Sequence, residues 1–275
     1  MRLDLIDPVI SGNKPFKLSE YISSAKKSGH RGMVTFGGAW SNHIHATAYA
    51  TRLAGMKSIG IIRGERPAIL SPTLSDAEQA GMELRFISRT DYKDLRDLRD
   101  ESLEEAFPGF TLVPEGGAGK PGMWGAAAIM EYIPSAAFDW IVCACGTGTT
   151  LAGLISAAKA GQQFLGISVL KGHTGLKSDI NDMLKYTTEH THFEVIDRFH
   201  GGGYAKYDDE LVNYMNDFHD RTGIPTDIIY TGKLMLAIDM LFQEGVFPPD
   251  VRVLAIHSGG LQGNRSLSPG RLHFL

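Results

Sequence analysis

An α/β protein of parallel sheets, covered on both faces by helices, is what this sequence predicts, and two observations carry the prediction. Short apolar runs of strand length alternate with longer amphipathic runs of helix length along almost the whole chain. A β-α-β rhythm of that kind needs crossover helices lying on the sheet faces. Glycine is the second observation: 32 of 275 residues, about 12%, against a usual value of about 7%. With no biased segment and no fixed-period repeat, that excess fits many tight strand-to-helix turns.

Taken in order, the strand candidates are residues 33–36, 58–63, 84–88, 111–113, 140–145, 164–170 and 251–257, with 193–196 as a further short strand. Each is a run of β-branched, aromatic or other apolar residues bounded by turn residues. Helix candidates are 17–28, 42–55, 72–81, 91–106, 122–132, 150–161, 208–222 and 233–244. Residues 171–192 and 200–207 read as loop or short helix. The strands from Met33 to Val113 form one group and those from Trp140 onward a second, joined by the glycine-rich connector Glu115-Gly116-Gly117-Ala118-Gly119-Lys120-Pro121-Gly122. Two sheets, with a ligand where open α/β sheets bind one, are the expected organisation.

Hydrophobic content of 43% and charged content of 21% are ordinary globular values. A net charge of -4 and a pI near 6.2 argue against nucleic acid or an anionic membrane as the main partner. No apolar run approaches the roughly 18 residues of a transmembrane helix, and Met1-Arg2-Leu3-Asp4 lacks the layout of a signal peptide. The two cysteines, Cys143 and Cys145, lie two apart in an apolar run, too close to suggest a structural bridge. A reducing, cytoplasmic setting is the expectation.

Three stretches have chemistry in them. Ser11-Gly12-Asn13-Lys14 places a lysine just before a helical pattern. By turn chemistry alone such a lysine is a solvated cation, but an amine with a lowered pKa can hold an aldehyde cofactor as a Schiff base. Gly37-Gly38-Ala39-Trp40-Ser41-Asn42-His43 follows a short strand and opens a helix. Ser41 is a natural N-cap there and, with nearby helix N–H groups, a candidate to hold a substrate carboxylate. Asn42 is a candidate donor to a cofactor ring oxygen. His43 and His45, two apart, fall on different faces of a helix, so a metal pair is not expected. Finally, Trp140 to Cys145 reads as a buried strand running into Gly146-Thr147-Gly148-Thr149-Thr150 and an apolar helix. Converging backbone N–H groups, threonine hydroxyls and the helix N-terminus make an anion cradle. It is not a Walker A loop, because no Gly-Lys-Ser/Thr closes it. Near the C-terminus, Tyr230-Thr231-Gly232-Lys233 ends a short β-like run, and His257-Ser258-Gly259-Gly260 follows another; both put small hydroxyls at strand ends. His190 and His192, and the charged run 91–105, read as solvated.

Ser11-Gly12-Asn13-Lys14-Pro15-Phe16-Lys17-Leu18, then Gly37 to Asn42, Gly146 to Thr150 and Tyr230-Thr231-Gly232-Lys233, in that order, resemble the D-cysteine desulfhydrase and 1-aminocyclopropane-1-carboxylate (ACC) deaminase family. The likeness covers essentially the whole chain. It implies the pyridoxal-phosphate (PLP) cofactor and the two-domain, three-layer α/β/α architecture of the tryptophan-synthase β-like fold, fold type II. By the same likeness a small domain, residues 17–124, is inserted between the two parts of a large one, 1–16 and 125–275, and the protein is a homodimer. Lys14 matches the lysine that carries the cofactor. Asn42 matches the asparagine on its phenolic oxygen, Ser41 the serine beside the substrate, and Lys17 a second lysine near the phosphate. Gly146, Thr147, Gly148, Thr149 and Thr150 match the phosphate loop, and Tyr204 and Tyr230 match active-site tyrosines. Two departures stand out: only thirteen residues precede Lys14, where relatives carry an edge strand whose absence would expose a sheet edge, and Phe16 stands where arginine is common.

ACC deaminases of the family have a glutamate after the second tyrosine, which deepens the electron sink at the cofactor's ring nitrogen. This chain has Thr231 there and a second hydroxyl, Ser258, where deaminases have leucine. Opening a cyclopropane that has no α-proton demands strong ring activation, whereas expelling thiolate demands less. The resemblance therefore implies a small amino-acid substrate and β-elimination from D-cysteine to pyruvate, ammonia and sulfide. ACC deamination to 2-oxobutyrate, or PLP binding without turnover, is the alternative.

Overall fold

The computed structural model describes residues 1–96, 105–134, 138–185, 187 and 192–275. They form two compact units, one of Met1–Asn13 with Ala126–Leu275 and the other of Lys14–Gly125.

In the unit Lys14–Gly125, helix α1 (Lys14–Lys27) leads into β1 (Gly32–Gly37), α2 (Asn42–Leu53), β2 (Lys57–Arg63), α3 (Pro72–Gln79), β3 (Met82–Ile87), α4 (Arg89–Arg96), β4 (Phe110–Val113) and α5 (Lys120–Ala127), whose last two residues belong to the other unit. The four strands are all parallel, in the order β3-β2-β1-β4. Alternation along the strands separates two cores. Val34, Phe36, Ile59 and Ile61 pack with Tyr92, Phe107 and Phe110, while Ile62 and Met82 pack with Ile44 and Ala48 of α2 and Leu74 and Ala77 of α3. β1 is buried at every position, as a strand covered on both faces must be.

The second unit contains β5 (Trp140–Cys145), α6 (Thr149–Ser156), β6 (Gln163–Ser168), α7 (Leu176–Leu184), β7 (Phe193–Ile196), α8 (Asp209–Thr222), α9 (Thr231–Gln243) and β8 (Val253–Ile256). Its strands are also parallel, in the order β7-β6-β5-β8. On one face Val142, Ala144, Leu165 and Ile167 pack against Leu234, Ala237, Ile238 and Leu241 of α9. On the other, Cys145 and Leu151 of α6 close over Gly166. Cys143 and Cys145 are buried free thiols. Among the described residues no helix is long and apolar enough to cross a membrane.

Several expectations need correction. Lys14 is the first residue of α1 rather than part of the turn before it, because Pro15 suits a helix's first turn, where no intrahelical N–H bond is required. Residues 171–192, expected as loop or short helix, do contain a short helix, the nine-residue α7. The helix expected over 122–132 ends at Ala127 and continues as the 3-10 segment Ala128–Tyr132. Strand β6 stops at Ser168, two residues short of the expected run. The helix expected over 91–106 is helical wherever it is described, at 91–96 and at 105–106; residues 97–104 lie outside the described residues, as does His190.

The expected open edge is also covered. Met1–Leu3 runs beside β8: the Met1 ammonium donates to Ala255 O (2.7 Å), His257 N to Met1 O (2.9 Å) and Leu3 N to His257 O (3.2 Å). The segment is pinned by Asp4, whose carboxylate is 2% exposed and meets Arg2 Nε at 2.7 Å and His257 Nδ1 at 2.9 Å. Burial alone would raise the Asp4 carboxyl, but the hydrogen bonds from Arg2 and His257 outweigh it and hold it well below the usual carboxylate range. With its folded pKa below its unfolded one, Asp4 contributes stability that is full above about pH 4 and is lost as pH falls through the folded value. Asp4→Asn is expected to cost about 2–4 kcal/mol at pH 7. The difference from wild type should shrink in acid, as measured by urea denaturation at pH 7 and pH 3.

Candidate active site

Each sheet has a switch point, where the chain reverses its direction of travel across the strands and ligands bind beyond the carboxyl ends. In the unit Lys14–Gly125 it lies between β1 and β4, and in the other between β5 and β8. The candidate residues gather at these two points, and each group is described within its own unit.

Beyond β5 the chain turns through Gly146 and Thr147 to Gly148, which caps α6 in the left-handed conformation at φ 72°. A Cβ at Gly148 would lie 2.6 Å from Ile180 Cγ1, so only glycine fits against α7. The turn leaves the first N–H groups of α6 without intrahelical acceptors beside the hydroxyls of Thr147 and Thr149, which bond each other at 2.9 Å. Asn13 reaches the same turn, its Nδ2 donating to Thr150 Oγ1 at 2.8 Å. Asn13 N donates to Ser258 O at 3.2 Å, and the backbones of Gly12 and Ser258 approach so closely that a Cβ at Gly12 would fall 1.9 Å from Ser258 O. The residue that precedes Lys14 is therefore fixed to both switch-point loops of this unit. A neutral-to-positive donor cluster of this kind, with no carboxylate in it, suits a phosphate.

Tyr230 packs against the same turn: its Cε1 lies 3.5 Å from the Cβ position of Gly146. Its ring meets Tyr204 edge-on, with centroids 6.4 Å apart at 70°. Both expected tyrosines are thus brought together. The expected β-like run before Tyr230 is absent, for a definite reason. Asp227 is fully buried, and its carboxylate accepts from Ile229 N (3.0 Å), Tyr230 N (3.1 Å), Thr231 N (2.7 Å) and Thr231 Oγ1 (2.7 Å). Amides gathered on one carboxylate cannot join a strand ladder. Thr231 Oγ1 also accepts from Asp227 N at 2.7 Å, so its single proton is committed and one lone pair remains. Ser258 is 9% exposed at the end of β8.

In the unit Lys14–Gly125, Ser41 caps α2 by accepting from Ile44 N at 3.2 Å, the capping role the sequence assigned, and Asn42 is the helix's first residue. Lys17 is buried, its Nζ donating to Gly116 O in the loop after β4. His43 and His45 diverge as expected: His45 Nε2 stands 3.5 Å from Asp76, and His43 Nε2 lies 2.7 Å from Thr35 Oγ1. Because Thr35 gives its proton to Val113 O (2.7 Å), His43 must donate, which assigns the Nε2–H tautomer. Burial, with the positive charges of Lys14 and Lys17, holds the His43 pKa well below its ordinary value. His43 is a neutral group within the electrostatic reach of Lys14.

Sequence reasoning gave no role to Asn13, His43, Asp227 or Lys233. Asn13, His43 and Lys233 each lie inside a recognisable motif. Asp227, four residues before Thr231, had only the weak signal of an aspartate ahead of a helix.

The family model described as pyridoxal-phosphate dependent enzyme matches residues 2–259. The chain belongs to this family. Within it, the chain falls in the ACC deaminase and D-cysteine desulfhydrase group. A Thermotoga maritima protein provisionally named 1-aminocyclopropane-1-carboxylate deaminase is 31% identical over 280 residues, covering 95% of this chain and 88% of the relative. The bifunctional D-cysteine desulfhydrase/1-aminocyclopropane-1-carboxylate deaminase of Arabidopsis thaliana is 28% identical, covering 95% and 72%. Among solved structures, an ACC deaminase homologue superposes with a TM-score of 0.82 at 25% identity, covering all of this chain and 87% of the other. The PLP enzyme therefore has the fold type II architecture of two parallel α/β sheets, and its cofactor is pyridoxal 5'-phosphate. The donor turn beyond β5 fits the phosphate of that cofactor.

Proposed function

We propose that this PLP enzyme is a deaminating lyase of a small amino acid, releasing ammonia and a 2-oxo acid. The observation that carries the reading is the donor turn at the β5–β8 switch point, fixed to Asn13, the residue before Lys14. Bound PLP withdraws electrons from the substrate's α-carbon. Lys14 Nζ holds the cofactor and then accepts and returns a proton. The turn at 146–150 binds the phosphate. Ser41 and the first N–H groups of α2 take the substrate carboxylate. Asn42 meets the cofactor's phenolic oxygen, and Tyr230 and Tyr204 line the substrate.

The names of the relatives favour ACC as substrate, with water converting it to 2-oxobutyrate and ammonia. A second reading, D-cysteine to pyruvate, ammonia and sulfide, is favoured by Thr231 and Ser258. The Asp227 carboxylate is saturated by four donors, and the hydroxyl of Thr231 is neutral, so neither supplies the free negative charge that a strongly activated ring nitrogen calls for. Incubation with ACC, D-cysteine, L-cysteine and β-chloro-D-alanine separates the readings. 2-Oxobutyrate from ACC is the expected result of the first, and pyruvate from the D-amino acids that of the second. Absence of any 2-oxo acid from all four contradicts both.

A further inference from the structure

We propose that Lys233 is a positioning residue, whose buried ammonium folds the 200–207 loop and so sets where Tyr204 stands against Tyr230. The functional side of this rests on the reading above that the two tyrosines line the substrate. Lys233 is 1% exposed, and its Nζ donates to His200 O at 2.7 Å and to Gly203 O at 2.9 Å. The same two carbonyls close consecutive turns, accepting from Gly203 N (3.0 Å) and Lys206 N (3.2 Å). Two turns are thus wound around one cation.

Four backbone positions of the loop have positive φ: 55°, 89° and 123° at Gly201, Gly202 and Gly203, and 54° at Ala205. Such a chain has little conformational preference of its own. What orients its carbonyls inward is a charged donor, which forms stronger hydrogen bonds than a neutral one. The Lys233 Cε lies only 3.3 Å from the Cβ position of Gly201, so the loop is wrapped on the lysine stem as well. Burial lowers the Lys233 pKa to about 8, opposed by the charges of Asp227 and Asp208. Tyr230 and Lys233 are three apart at the start of α9 and share a helix face. One helical turn therefore presents both the Tyr230 ring and the ammonium that holds the loop of its partner ring, Tyr204.

The test uses the PLP-loaded full chain as wild type, Lys233→Met, which keeps the aliphatic stem, and Lys233→Arg, which keeps the charge. Amide hydrogen exchange is followed in peptides covering 200–207, with α8 as the control. In wild type, 200–207 is expected to be protected; exchange as fast as in an unstructured peptide overturns the proposal, whether or not the variants fold. In Lys233→Met, exchange of 200–207 should rise about tenfold or more, the factor for losing charge-assisted hydrogen bonds. The α8 control and the cofactor absorbance should be unchanged. Lys233→Arg should recover part of the protection. With whichever substrate is turned over, KM should rise about tenfold with a smaller change in kcat, and the change should vanish in a Tyr204→Ala background. Unchanged exchange, or a full KM effect in the absence of Tyr204, contradicts the proposal. A wild type that turns over neither substrate defeats the functional reading instead, and exchange still decides the role of Lys233 in the loop.

Discussion

Lys14→Ala is expected to fold as wild type does, to lose the visible absorbance of bound cofactor, and to fall in turnover by at least about 10³-fold. Lys14 heads α1 and is half-buried, so alanine, an excellent helix former, leaves the helix intact. What disappears is the amine. Without it the cofactor has no covalent anchor, and the proton carried by the lysine has no carrier. Circular dichroism, cofactor absorbance and 2-oxo acid release, measured on one preparation, check the three parts together. Retained absorbance with retained turnover would assign the anchor to another lysine.

Asp227→Ala is expected to be the most damaging of the substitutions to stability, at about 3–5 kcal/mol. It removes the acceptor of three backbone amides and one hydroxyl in a fully buried position, and buried donors left unsatisfied carry a large desolvation penalty. Asp227→Asn retains one carbonyl oxygen but turns an NH2 toward donors, so an intermediate loss is expected. Chemical denaturation gives the magnitudes. Because Tyr230 and Thr231 hang from this carboxylate, the alanine variant should also lose activity under conditions where it remains folded.

The sequence makes the sheets legible wherever a strand is buried on both faces. Residues 140–145 are an unbroken apolar run ending in glycine, and β5 has those bounds. The same run points to the phosphate turn, because a glycine-threonine cluster between a buried strand and an apolar helix has few other uses. The Tyr230 region reads wrongly as a strand because Ile228-Ile229-Tyr230 has strand composition, and the carboxylate that bends it is a single aspartate with no periodic signature. The tautomer of His43 depends on Thr35 and Val113, a pairing that exists only once β1 and β4 are neighbours. The covered edge of β8 is legible in neither composition nor pattern. It depends on backbone bonds of Met1 and Leu3 and on a buried hydrogen bond between Asp4 and His257, more than 250 residues apart in the chain.

Borohydride reduction of the PLP-loaded protein, followed by peptide mapping, fixes the cofactor to whichever amine holds it. A phosphopyridoxyl group on the peptide containing Lys14 is the expected result. The same group on Lys17, on Lys233 or on no lysine at all would contradict the assignment of Lys14 as the cofactor's anchor.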